Sequence, residues 1–125
     1  MPLRVGERKS KGEAALNYVY SGYKRDSRRR SLVFSLSLND FYEISQKLCY
    51  YCGEKPTKKQ RKDLRCYGDF IYNGIDRFNN SIGYVKSNCV PCCFVCNRLK
   101  HNMEFGDFKD KIFQIHNHLL GNINA

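Results

Sequence analysis

The sequence predicts a small α+β domain ribbed by zinc, with a basic helix before it and a helix at its C-terminal end. Three observations carry this reading. Two C-x-x-C pairs, Cys49/Cys52 and Cys93/Cys96, lie far apart in the chain with the spacing of metal knuckles. Apolar residues recur at helical spacing before the first pair and after the second, and alternate in between. With 125 residues, 42% of them hydrophobic, the chain can bury only a modest core. A structural metal would supply folding free energy that such a core lacks.

Residues 1–11 carry little apolar pattern and read as a basic arm. From Gly12 the pattern turns helical, with Leu16, Val19, Tyr20 and Tyr23 on one stripe. The helix runs on into Lys24, Arg25, Arg28, Arg29 and Arg30. Cations suit the last turn of a helix, but this cluster exceeds what the dipole asks. It reads as a phosphate-contacting patch, with a solvated helix end as the plainer alternative. Tyr18 can stack on bases, whereas helical spacing gives Tyr20 and Tyr23 to the core. Leu32, Phe34 and Leu36 alternate with Ser31, Val33 and Ser35, which predicts a short strand. Ser37 then caps a helix, with Asp40 three residues on and Phe41, Ile44 and Leu48 as its buried face. The chain thus divides into an arm and helix over 1–31 and a zinc domain over 32–125.

Cys49-Tyr50-Tyr51-Cys52-Gly53 outlines the first knuckle, its glycine relieving a tight turn. Residues 55–65 read as a polar loop, with Lys58 and Lys59 among its cations, either a DNA contact or a solubilising insertion. Phe70 and Tyr72 signal a strand that leads into 73–77 and a turn-rich stretch over 79–84. Helix-compatible sequence follows Cys93, and a last helix near 107–120 puts Phe108, Ile112, Ile115 and Leu119 on one face. Of the later cysteines, Cys89 and Cys92 enclose Pro91 and no helix follows them directly. The zinc ligands are therefore assigned as Cys49, Cys52, Cys93 and Cys96, with Cys66, Cys89 and Cys92 as small buried residues.

Charge and cysteine usage bound the function. Lys and Arg number 22 against 12 Asp and Glu, a net charge of +10, which points to a polyanion, most often nucleic acid. No apolar run reaches the ~18–20 residues of a membrane span, and no signal-peptide pattern opens the chain. Seven cysteines, an odd number, argue against an extracellular disulfide framework. A reducing, intracellular compartment is expected: cytoplasm, nucleus or an organelle matrix.

Cys49-x-x-Cys52-Gly53, Tyr72-Asn-Gly-Ile-Asp76-Arg77, Gly83-Tyr84, Asn88 and Cys93-x-x-Cys96-Asn97-x-x-Lys100 together carry a resemblance. Over about residues 32–120 the chain resembles the HNH endonucleases, the zinc-ribbed branch of the His-Me finger (ββα-metal) superfamily, and small phage and large-virus proteins among them. The resemblance implies two strands and a helix that hold one divalent ion, Mg2+ or another, over the scissile phosphate. In that family a His ending the first strand activates water, and an Asn orients it. Carried onto this chain, Asn88 is the orienting residue, and Asn97 and His101, four apart on one helix face, look toward the ion. Asp76 reads as a ligand or weak substitute base, and equally as a turn Asp bonded to its own backbone.

The chain departs from the family pattern at one point. Its three His are His101, His116 and His118, so Gly74 or, in a shifted register, Arg77 stands where the catalytic His belongs. Neither can accept a proton near neutral pH. Loss of a general base costs ~10²–10⁴ in rate. Arg77 and Lys100 join the cations expected to touch phosphate. Two functions follow: a metal-dependent nuclease acting on nucleic acid, DNA before RNA, or an inactive binding module in a DNA or ribonucleoprotein complex such as a ribosome. A purely protein-binding zinc domain would leave the charge unexplained.

Overall fold

The computed structural model describes residues 11–60 and 68–121, the side chains of 59 and 60 excepted. The arm over 1–10, the end of the basic loop and Cys66 lie outside the described residues. Helix α1, Glu13–Arg29, starts after Gly12 and buries Ala15 and Val19. Leu16, Tyr20 and Tyr23 of its stripe pack on the same core, and Tyr18 is exposed. This segment, read from sequence as standing before the zinc domain, thus shares that domain's core. The predicted strand over 32–36 reduces to one parallel bridge, Phe34 to Tyr84. Its alternation still works, because Leu36 is buried and Tyr20 and Tyr84 meet Phe34 at 5.6 and 5.7 Å between ring centroids.

Helix α2, Leu38–Ser45, begins with the predicted capping box: Ser37 Oγ accepts from Asp40 N–H and the Asp40 carboxylate accepts from Ser37 N–H. Phe41 and Ile44 face inward as expected. Leu48 does not, being 61% exposed. The helix stops at Ser45, whose carbonyl accepts from Asn73 N–H at 2.8 Å, so Leu48 falls outside the helical period. Buried Asn73 also donates its side-chain amide to the carbonyls of Lys47 and Glu54 and fixes this exit.

Two antiparallel ribbons complete the core. Strand β1, Lys58–Gln60, pairs with β2, Phe70–Tyr72. The basic stretch read as loop over 55–65 therefore contains a strand from Lys58, since ladder bonds use backbone groups and tolerate polar side chains. Strand β3, Gly74–Arg77, pairs with β4, Cys89–Cys92, in the register Gly74 to Cys92 and Asp76 to Val90. A short 3-10 turn, Lys86–Asn88, leads into β4. Helix α3, Phe94–Lys100, follows at once with Cys93 as its N-cap. Helix α4, Phe105–Leu119, ends the described chain. Its apolar face forms as predicted, but Phe108 is its only buried residue. None of the described helices is long and apolar enough to cross a membrane.

Candidate zinc centre and phosphate cleft

The first site joins the knuckle after α2 to the start of α3. The sulfurs of Cys49, Cys52, Cys93 and Cys96 all lie within 4.8 Å of one another. A tetrahedral ion with Zn–S near ~2.3 Å spaces its sulfurs by about 3.8 Å. Cys52 Sγ and Cys93 Sγ are 3.6 Å apart. Local backbone bonds make the cradle. Gly53, at φ 80°, donates to the Cys49 carbonyl, and Tyr50 N–H ties the knuckle to Pro91 of β4 at 2.8 Å. Cys93 N–H points at Cys49 Sγ and Cys96 N–H at Cys93 Sγ, both at 3.3 Å. Burial works against a Cys49 thiolate, yet backbone N–H groups of Cys93, Cys52 and Tyr51 outweigh it and bring the thiol down to about 7. Burial and then the neighbouring sulfurs push Cys96 well up, a crowding of charge that a divalent cation relieves. The donor set fits a closed structural zinc. Cys89 and Cys92 are buried outside the cluster as neutral thiols, Cys89 pushed up by burial, then by Asp76, to about 12.

The second site is a cleft of about 480 Å³ between the end of α1, strand β3 and helix α3. Asp76, Asn97 and His101, assigned to chemistry from the sequence, all line it, together with Arg30 and Arg77. Asp76 is not a turn residue bonded to its own backbone. It sits inside β3, 8% exposed, and its Oδ2 accepts from Tyr51 Oη at 2.6 Å. Burial first, then the Asp76 carboxylate, push the Tyr51 phenol well up, so it stays protonated and donates. Lys100 Nζ lies 3.2 Å from the same oxygen. His101, read from sequence as sharing a helix face with Asn97, lies just past α3 as its C-cap at φ 51°, a positive φ that non-glycine residues hold only at a cost of about 1–3 kcal/mol.

One sequence assignment needs correction, and two further residues lie away from the cleft. Lys100, counted among the phosphate contacts, is fully buried and paired with Asp76. Four residues after Cys96, it falls on the inner face of α3, where the carboxylate compensates its charge. Asn88, assigned to orient a base, does not line the cleft. Its Oδ1 accepts from Asn79 N–H at 2.9 Å, and its amide donates to the carbonyls of Asn79, Ile82 and Gly83. The turn over 79–83 absorbs its bonding capacity. Gly74, the first of the two stand-ins for the missing His, does not line the cleft either. A Cβ there would sit 2.8 Å from Tyr23 Oη, which itself receives the Ile75 N–H. Arg77 is the stand-in that reaches the cleft. Its guanidinium bonds the Asn80 carbonyl at 2.5 Å and lies over the Tyr84 ring.

The α1 cations and Lys58 lie at the surface. Lys24, Arg25, Arg28, Arg29 and Arg30 are all exposed, with Arg29 and Arg30 paired to Asp26. Lys58 is exposed, its ammonium near the rings of Tyr72 and Phe94, and Lys59 belongs to β1. Sequence reasoning missed Tyr51, Arg98 and Asp26. Tyr51 gave a signal in retrospect: it is an aromatic between two ligands, on a turn too short to bury it in its own segment. Arg98 lines the cleft one residue after Asn97; nothing in its spacing sets it apart.

Fold and sites together define a small α+β domain with four clustered cysteines that could hold a zinc ion, and its fold is similar to that of an HNH endonuclease. Among solved structures, the rare-cutting HNH restriction endonuclease PacI, described for its perturbation of DNA, superposes with a TM-score of 0.58 over 98% of this chain and 92% of that one. The two are 19% identical, so the likeness is one of fold. In sequence, the uncharacterised protein R423 of Acanthamoeba polyphaga mimivirus is 40% identical over 81 residues. That alignment covers 65% of this chain but spans only 13% of the viral protein's length. No protein-family model matches the chain.

Proposed function

We propose that this chain binds DNA through the basic end of α1 and the adjoining cleft, and cleaves the bound phosphodiester slowly with the help of a divalent ion. The observation that carries the reading is the meeting of Asp76, Asn97 and His101 with Arg30 and Arg77 in one open cleft. Arg30 and Arg77 offer planar donors to phosphate oxygens. The exposed cations of α1 extend that field along a strand. DNA is preferred over RNA because the structural neighbour acts on DNA.

One carboxylate, one imidazole and one amide oxygen fit an ion that keeps most of its waters and takes its remaining ligands from phosphate. Asp76, Asn97 and His101 would hold it. Such an ion supplies stabilisation of the leaving oxygen and a more acidic water. The chain's own contribution is to position the phosphate. Arg77 stays protonated and cannot take the proton from water, which sets the expected rate ~10²–10⁴ below that of a relative bearing His. A second reading, an inactive module, draws on one observation: Lys100 and Tyr51 already engage Asp76 Oδ2.

Binding titrations on duplex DNA at several salt concentrations, with single-turnover cleavage assays in Mn2+, test both. If the α1 cations touch phosphates, each contributes ~0.9 to the slope of log K against log salt. The triple variant R28A/R29A/R30A should flatten that slope. Slow, ion-dependent nicking lost in His101→Ala supports the enzyme; tight binding with no ion-dependent product supports the module.

A further inference from the structure

We infer that α4 is a docking surface for a negatively charged amphipathic helix of a protein partner. Among the described residues the helix is anchored only at its start. Phe108 is buried, and the Phe105 ring packs on Phe78 and Tyr51 at 4.7 and 6.2 Å. From Lys109 to Leu120 every residue is exposed. That stretch carries Ile112, Ile115 and Leu119 at 48, 49 and 60% exposure. A 15-residue helix is marginal in water on its own and draws its stability from covering an apolar face. Among the described residues nothing covers that face.

The spacing says what shape would cover it. Positions 105, 108, 112, 115 and 119 alternate by three and four, the seam of a helix that packs along another helix. An apolar recess of about 380 Å³ continues the seam, walled by Tyr50, Tyr51 and Phe113 and rimmed by Lys109.

The flanks say what charge it would carry. Lys109 and His116 border the seam on one side, Lys111 and His118 on the other. Asp107 and Asp110 fall on the outer positions. A second copy of α4, parallel or antiparallel, would set basic flank against basic flank, which disfavours self-association. Nucleic acid would match the cations but offers no apolar stripe to Ile112, Ile115 and Leu119. A helix with Leu-like residues along its seam and Glu or Asp beside it satisfies both features.

The test uses the full zinc-loaded chain and two labelled synthetic peptides with Leu at the seam positions, one with Glu and one with Lys on both flanks. In fluorescence-anisotropy titrations the Glu peptide should bind at least ~10-fold tighter than the Lys peptide. The variant K109E/K111E should reverse that preference. The variant I112S/I115S/L119S should lose the Glu peptide while keeping its zinc content and its DNA affinity. Three outcomes overturn the inference. Undiminished Glu-peptide binding by the serine variant would mean simple attraction to basic surface elsewhere. Failure of both peptides, with a concentration-dependent dimer that the serine variant abolishes, would give the face to a second copy. Loss of DNA affinity in the serine variant would give it to nucleic acid.

Discussion

The two ends of α3 are built on opposite terms. Cys93 and Cys96 open the helix and close the zinc cluster, a site in which four like donors wait for one ion. Asn97 lies further along the same helix and His101 just past its end; both line the cleft, where three unlike donors stand among fixed charges. At the first end, backbone N–H groups favour the Cys49 thiolate while burial and the neighbouring sulfurs crowd Cys96. At the second, the protein has already balanced its one central carboxylate, through Lys100 and Tyr51. The comparison teaches that a site can be complete in ligands and open in charge, or near balance in charge and open in ligands. Tyr51 ties the two together: it sits between Cys49 and Cys52 and reaches Asp76 from inside the knuckle. An ion held by the four cysteines would order the knuckle and thereby hold the cleft's acid in place.

The largest expected effect comes from removing the ion. Cys93→Ser should abolish zinc binding and leave the chain unfolded, because structural zinc contributes on the order of 10 kcal/mol to such domains. Cys92→Ser should keep the zinc and cost only about 1–2 kcal/mol, since a hydroxyl there can donate to the Cys93 carbonyl that the thiol already faces. Zinc content and circular dichroism, measured on both variants with and without chelator, check this. Full occupancy after Cys93→Ser with loss after Cys92→Ser would overturn the ligand assignment.

This asymmetry also explains what was legible in the sequence. A closed zinc site asks for residues of one type at fixed spacing, so the four clustered cysteines stood out. The capping box, the α1 stripe and the helix after Cys93 were legible because local rules fix them. Lys100 and Leu48 were not, because their fates depend on partners far along the chain: Asp76 for one, Asn73 for the other. Asn88 looked catalytic by its place in a motif, yet its amide is used by the turn beside it. The strand over Lys58–Gln60 hid behind its charges, since a ladder reads the backbone and not the side chain. Ile112, Ile115 and Leu119 did form one face, but periodicity announces an apolar face and not what lies against it.

Next in size is the balance at Asp76. Lys100→Met should destabilise the fold by about 3 kcal/mol, because it strands a carboxylate that is nearly buried. Asp76→Asn in the same chain should recover part of that loss. The comparison between the two sites sharpens if Mn2+ is added. A carboxylate freed from its ammonium should take the ion, so Mn2+ should raise the melting temperature of Lys100→Met more than that of the wild type. Equal shifts in the two proteins would mean that Asp76 does not contact the ion, and that the cleft is a binding surface only.

The smallest effect in free energy is the most informative about chemistry. If the cleft lacks only a proton acceptor, placing imidazole at the right position should raise ion-dependent cleavage ~10²-fold or more, about 2.7 kcal/mol in barrier. The structure separates the two candidate positions. At Gly74 a new Cβ would press on Tyr23 Oη at 2.8 Å and disturb the bond that phenol receives from Ile75. Gly74→His should therefore destabilise the fold and leave cleavage unchanged. At Arg77 the side chain already borders the cleft. Arg77→His should lower DNA affinity somewhat, through the lost guanidinium, and yet raise the single-turnover rate. The gain should follow deprotonation of an imidazole, rising with pH to a plateau near neutrality. It should vanish on Asp76→Ala. A gain at Gly74 but not at Arg77 would put the reacting phosphate on the other face of β3. No gain at either, with Mn2+ bound, would mean that the Asp76–Lys100 pair rather than the absent His keeps the cleft silent.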